Sequence, residues 1–177
     1  DAEGMIFTPN VTVALNAIAN SIELNANDEV LTTDHEYGTI LATWARKCLQ
    51  NDAVLTEMKV DLPVATKAEF VDYFWKHVTP RTKVILMSHI TSATALVLPV
   101  REICRRARKA GIITVIDGAH AVGQIDLDVE GINADFYTSN CHKWMLTPKG
   151  TAFLHVHATQ REAFEPLVIS WAEINQP

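Results

Sequence analysis

Asp117 directly follows an apolar run at 112–116 (IITVI), and Lys143 follows the next strand-like stretch, 134–138 (ADFYT). A carboxylate held at the end of a buried strand needs a cationic partner, because an unanswered buried charge is costly. Two arrangements satisfy that need. Asp117 and Lys143 can form a simple ion pair, or they can hold a cofactor between them, the lysine as an imine and the aspartate on a ring nitrogen. Their spacing alone leaves both open. Three more polar clusters sit in equivalent positions: Asp34-His35-Glu36-Tyr37, Ser88-His89-Ile90-Thr91-Ser92, and Ser139-Asn140-Cys141-His142 just ahead of the lysine. Acids, histidines, hydroxyls and a lysine at four strand ends are the makings of a composite site.

The elements that must position these residues alternate between strand and helix. Thr8-Pro9 before Val11, Leu15, Ile18 and Ile22 predicts a helix with Thr8 near its cap and Pro9 in its first turn. Strands are expected at 29–33, 53–62, 83–87, 112–116, 134–138 and 151–156, and helices at 37–49, 67–78 and 100–109, the last closed by Gly111. The continuous apolar runs KVILM and IITVI suit strands covered on both faces. The pattern predicts an α/β domain with a mostly parallel sheet and helices on both faces, in which ligands bind beyond the carboxyl ends of the strands.

Composition narrows the class. The 177 residues carry 15 Lys plus Arg against 21 Asp plus Glu, a formal charge of −6, which argues against non-specific nucleic-acid binding. No apolar run approaches a membrane span, and no signal peptide is visible in a chain that opens at Asp1. Cys48, Cys104 and Cys141 are odd in number and at no metal-ligand spacing, which predicts reduced thiols in a cytoplasmic setting and no metal site. The length suits one domain with a sizeable core.

The stretch DGAHAVGQIDLDVEGINADFYTSNCHKWMLTPKGTAFLHV resembles the core of the class V aminotransferases, pyridoxal-phosphate (PLP) enzymes of fold type I. HKW followed by P-K-G-x-A-F-L is most similar to the isopenicillin N epimerase group, and SHITSATALVLPV, DHEYGT and TPNVTVALNAIA extend the likeness over nearly the whole chain. The resemblance implies a three-layer large domain of the aspartate aminotransferase type. It puts Lys143 in the Schiff-base role, with its freed amine as the base at the substrate α-carbon, and Asp117 on the pyridinium nitrogen. His120 stands where many relatives have Gln and would reach the ring hydroxyl. Ser92 takes the place of an Asn near that hydroxyl, with Thr91 as the alternative. Asn10, Val11 and Thr12 match a phosphate cradle at a helix start, with Asn in place of Gly. Asn140, or Ser139 one position earlier, stands where relatives place a phosphate-binding Ser, and His142 matches a His that contacts phosphate or shapes the pocket. His35 falls where the family stacks an aromatic ring, with Tyr37 as the alternative. Cys141 reads as a small packed residue.

A PLP enzyme acting at Cα or Cβ of a small-molecule amino acid is therefore expected, with an epimerase or β-elimination outcome. Cysteine desulfurase, selenocysteine lyase or aminotransferase chemistry, and a non-catalytic binding module, are the alternatives. The resemblance further implies a homodimer of the complete protein. It also implies that residues 1–177 are a partial PLP-binding large domain, lacking an N-terminal segment and a C-terminal small domain.

Overall fold

The computed structural model of the chain describes residues 3–64 and 66–168; the expected domain bounds at 1 and 177 lie outside the described residues. Seven strands form one sheet: β1 (Met5–Thr8), β2 (Glu29–Thr33), β3 (Val54–Met58), β4 (Thr82–Ser88), β5 (Ile113–Asp117), β6 (Phe136–Asn140) and β7 (Ala152–Val156), in the order β1-β7-β6-β5-β4-β2-β3. The pairings among β2 to β6 are parallel, and β7 runs antiparallel to both β6 and β1. The helices are α1 (Val11–Ser21), α2 (Gly38–Gln50), α3 (Lys67–Trp75), α4 (Val100–Ala110) and the single turns α5 (Val129–Ile132) and α6 (Cys141–Trp144).

The alternation of side chains along the strands divides the core in two. Val84, Leu86 and Val115 pack on one face with Leu15 and Ile18 of α1 and Ile40 and Trp44 of α2. Ile85, Met87 and Ile116 pack on the other with Phe70 and Phe74 of α3 and Ile103 and Cys104 of α4. The predicted three-layer, mostly parallel α/β architecture is thus present. From β2 the chain crosses outward to β3 and then back past β2 to β4, so strand order reverses between β2 and β4. Such a switch point opens a crevice at the carboxyl ends of the strands.

Most expected elements fall within a few residues of their places, and the differences have physical causes. Thr8 ends β1, an element not anticipated, instead of capping α1. Asn10 is the cap: its Oδ1 accepts from the Val13 N–H at 2.9 Å, and Pro9 lies outside the helix. The four residues of β1 carry no periodic signal and are held by β7, which is remote in sequence. β3 stops at Met58 because the next amide inward, that of Val60, turns to the Asp34 side chain at 2.9 Å. β6 runs on to Asn140 because β7 pairs with it to the end, Asn140 opposite Ala152. No helix among the described residues is long and apolar enough to cross a membrane.

Gly118 follows Asp117 at the tightest point of the sheet edge. A Cβ there would stand 2.3 Å from the hydroxyl oxygen of Tyr137, which is itself fully buried and bonded to Nδ1 of His89 at 2.8 Å. Gly118→Ala should therefore destabilise the full-length protein by about 1–3 kcal/mol, read as a lower urea midpoint; an unchanged midpoint would show that Tyr137 moves freely.

Candidate active site

The carboxyl ends of β2, β4, β5 and β6 and the start of α1 surround a cavity of about 190 Å³. Asn10, Val11, Thr12, Ser92, Asp117, His120, Asn140, His142 and Lys143 all line it, together with Tyr37, Ile40, Ser88, Ile90 and Ala119. His35 does not: its Nδ1 lies 2.8 Å from the Asp34 carboxylate, and Tyr37 is the ring at the cavity wall.

Asp117 forms the floor. It is 4% exposed, and one carboxylate oxygen accepts from the Ala119 N–H at 2.8 Å. Among the described residues that is the only hydrogen bond its carboxylate receives. Burial raises its pKa, while the Ala119 N–H and the charge of Lys143 pull the other way. Lys143 projects from α6, half-buried, and burial lowers its pKa against the opposing pull of Asp117. The two do not form a direct ion pair. The Lys143 Nζ is instead 3.0 Å from Nε2 of His120, and the Trp144 indole N–H donates to Nδ1 of the same ring at 3.1 Å. The simple ion-pair reading of the Asp/Lys spacing is therefore not what the structure contains.

The start of α1 also lines the cavity. The first turn of a helix carries backbone N–H groups without intrahelical acceptors, and the helix dipole favours negative charge there. In α1 the Val11 N–H donates to Oδ1 of Asn140 at 3.0 Å and the Val13 N–H to Asn10. Thr12 remains: among the described residues neither its amide nor its hydroxyl has a partner. With its oxygen facing Val11, the Asn140 amide keeps its NH₂ as a donor. Ser139 is excluded as the alternative, because its Oγ is buried against the Gly118 carbonyl and accepts from the Val122 N–H at 3.4 Å. His142 donates Nδ1–H to the Thr151 carbonyl at 3.0 Å, so only its Nε2 can address a ligand. Thr91 is likewise turned away, into a bond with Thr94 at 2.8 Å, which leaves Ser92 at the cavity. Cys141 is partly buried beside the site, and burial raises its thiol pKa.

A buried carboxylate, an amine whose pKa burial lowers and a helix start with an unpartnered N–H thus share one cavity. The chain belongs to the aminotransferase class-V family, which it matches over residues 1–176. It is 40% identical over 163 residues to isopenicillin N epimerase of Streptomyces clavuligerus, covering 92% of this chain and 41% of that one. It is 32% identical over 169 residues to a probable cysteine desulfurase of Vibrio cholerae, covering 93% and 41%. Among solved structures, the cystine C-S lyase C-DES in complex with its product cysteine persulfide superposes with a TM-score of 0.88 at 25% identity, covering 97% of this chain and 46% of that one. The chain thus spans less than half the length of each. Among the described residues no group of His, Cys, Asp or Glu is placed to hold a metal ion.

Glu36 went unassigned in the sequence, although it belongs to the polar cluster after β2. It is 8% exposed, and its two oxygens accept from the Thr33 hydroxyl at 2.8 Å and the Ser88 hydroxyl at 2.5 Å. Burial pushes its carboxyl from the ordinary 4.5 up to about 7; the two hydroxyl bonds oppose the shift, and nearby Asp117 adds to it. A folded pKa above the unfolded one means that unfolding releases a proton between these values. Stability contributed by neutral Glu36 is present at low pH and is lost as pH rises toward 7. Glu36→Gln should flatten that fall and stabilise the full-length protein at pH 8 by roughly 2–3 kcal/mol. Urea melts at several pH values test this; parallel curves for wild type and variant would refute it.

Proposed function

We propose that this chain carries the cofactor-binding part of a PLP enzyme that acts at Cα or Cβ of an amino acid, with isopenicillin N epimerase-like chemistry. The observation that carries the reading is the presence, in one cavity, of the buried Asp117 carboxylate, the Lys143 amine and the start of α1. The residues fit the group: Thr12, the Asn140 amide and His142 would hold its phosphate, and the free oxygen of Asp117 its ring nitrogen. When bound, PLP supplies an electron sink for the pair left behind when a substrate Cα–H bond breaks.

The protein's own groups do the rest. Asp117 keeps a proton at the ring nitrogen, because a buried carboxylate is stabilised most by a cation bonded to it. Burial lowers the pKa of Lys143 and so favours the amine lone pair that a nucleophile or base requires. Ile40, Ile90 and Ala119 line the cavity with apolar surface that excludes water. A lyase outcome is the second reading, supported by the likeness to a C-S lyase and a desulfurase. Removal of the same proton precedes loss of a β-substituent, so these residues serve both. In the full-length protein we further propose a homodimer, and a reducing, cytoplasmic compartment, the compartment supported by the buried free thiols Cys48 and Cys104.

The full-length protein mixed with PLP should develop a visible band that borohydride bleaches, leaving the label on Lys143. Lys143→Ala should lose the labelling and at least ~10²-fold in turnover. Asp117→Asn should keep the labelling and lose turnover. No label on Lys143 in the wild type, or full turnover in Asp117→Asn, would sink the reading. In deuterated water, deuterium at Cα with inversion marks epimerisation, and release of sulfide or pyruvate marks the lyase.

A further inference from the structure

Trp144 is half-exposed, yet its indole nitrogen is bonded to His120. An indole N–H can only donate, so Nδ1 of His120 must carry a lone pair. A neutral imidazole then has its one proton on Nε2, the nitrogen 3.0 Å from Lys143 Nζ. That N–H needs an acceptor, and an ammonium group has none; only an uncharged amine offers a lone pair. The chain of contacts therefore has one consistent direction, from Trp144 through His120 to Lys143, and it closes only when Lys143 is neutral. A charged Lys143 would have to donate to Nε2, which moves the ring proton to Nδ1 and sets it against the indole N–H.

We propose that Trp144 is a positioning residue: its indole N–H fixes His120 in the Nε2–H tautomer, and that tautomer favours the uncharged amine of Lys143. The proposal deepens the reading of Lys143 as the cofactor-linked lysine, and rests on that reading for its catalytic consequence.

The backbone holds both partners for this role. Gly123, at φ +80, lets the turn after His120 press on α6, where a Cβ would stand 2.6 Å from the Trp144 carbonyl. The other end of that turn is pinned to β6, through Ser139 to the Gly118 carbonyl and the Val122 N–H. The indole is thus set by the chain itself, tilted against the imidazole with ring centroids 6.5 Å apart. Other titratable groups facing Lys143 are Asp117 from β5 and Tyr37 at the start of α2, which both favour the charged amine, and His142 on its own helix turn. Burial opposes them and lowers the pKa of His120 as well as that of Lys143. The bond from Trp144 adds a directional preference that burial alone lacks.

The test needs no cofactor. In the full-length protein, the pH dependence of Lys143 acylation by a small amine reagent, followed by mass spectrometry, reports the neutral fraction of that amine. Trp144→Phe keeps the ring and removes only the N–H. It should raise the midpoint by on the order of one pH unit and slow PLP capture near neutral pH about tenfold. His120→Gln should keep the low midpoint, because a Gln carbonyl can accept from the indole while its NH₂ donates to the amine; His120→Ala should lose it. An unchanged midpoint in folded Trp144→Phe overturns the proposal, as do equal midpoints in the two His120 variants. Failure of the proposed function would show differently, as an absence of PLP capture by wild-type Lys143 whatever its midpoint.

Discussion

A carboxylate sealed at the end of a central strand costs several kcal/mol unless hydrogen bonds or a positive charge answer it, and the site is organised around Asp117 for that reason. One oxygen is answered by the Ala119 N–H, which the turn at Gly118 brings back over the strand end. That turn is possible only because Gly118 leaves room for the Tyr137 hydroxyl. The second oxygen has no protein donor among the described residues, and Lys143 stands near but gives its bond to His120. The charge of Asp117 is left for a ligand to complete. Glu36, buried just after β2 and two strands away, belongs to the same constraint: the charge of Asp117 adds to the burial that disfavours its ionisation.

The opposite pole of the cavity depends on the two antiparallel strands. β7 pairs with β6 as far as Asn140 and with β1 along its whole length, so α1 begins beside the end of β6. The Val11 N–H then meets the Asn140 side chain across 129 residues of sequence. The result is a cavity lined by both a helix start and a carboxylate. The crevice exists at all because α2 and α3 lie on opposite faces of the sheet, which reverses the strand order between β2 and β4.

Legibility in the sequence followed the range of the interactions. Apolar runs such as KVILM and IITVI, and the helical spacing in 100–109, declare themselves through neighbours a few residues away, and the structure contains those elements close to where periodicity predicts them. Asp117 and Lys143 were legible as a strand-end pair for the same reason. Where a residue's partner was remote, local signals misled. Thr8 reads as a cap but belongs to a strand made by β7. His35 is a different case: it bonds the adjacent Asp34 and does not line the cavity. The choices between Asn140 and Ser139, between Ser92 and Thr91, and between His35 and Tyr37 at the cavity wall were open in the sequence. Each was decided by which side of a strand or turn the residue occupies.

The sequence by itself determined an α/β chain with a cluster of acid, histidine, hydroxyl and amine groups at its strand ends, because strand and helix periods and strand-end polarity are local properties. Only the tertiary structure decided that Lys143 bonds His120 rather than Asp117, that the Trp144 indole donates to that histidine, and that Glu36 is buried with its carboxyl against Ser88. Those facts depend on which side chains a turn and a neighbouring strand bring within hydrogen-bond distance, and on how much water they exclude. Neither quantity is written in the spacing of residues along the chain.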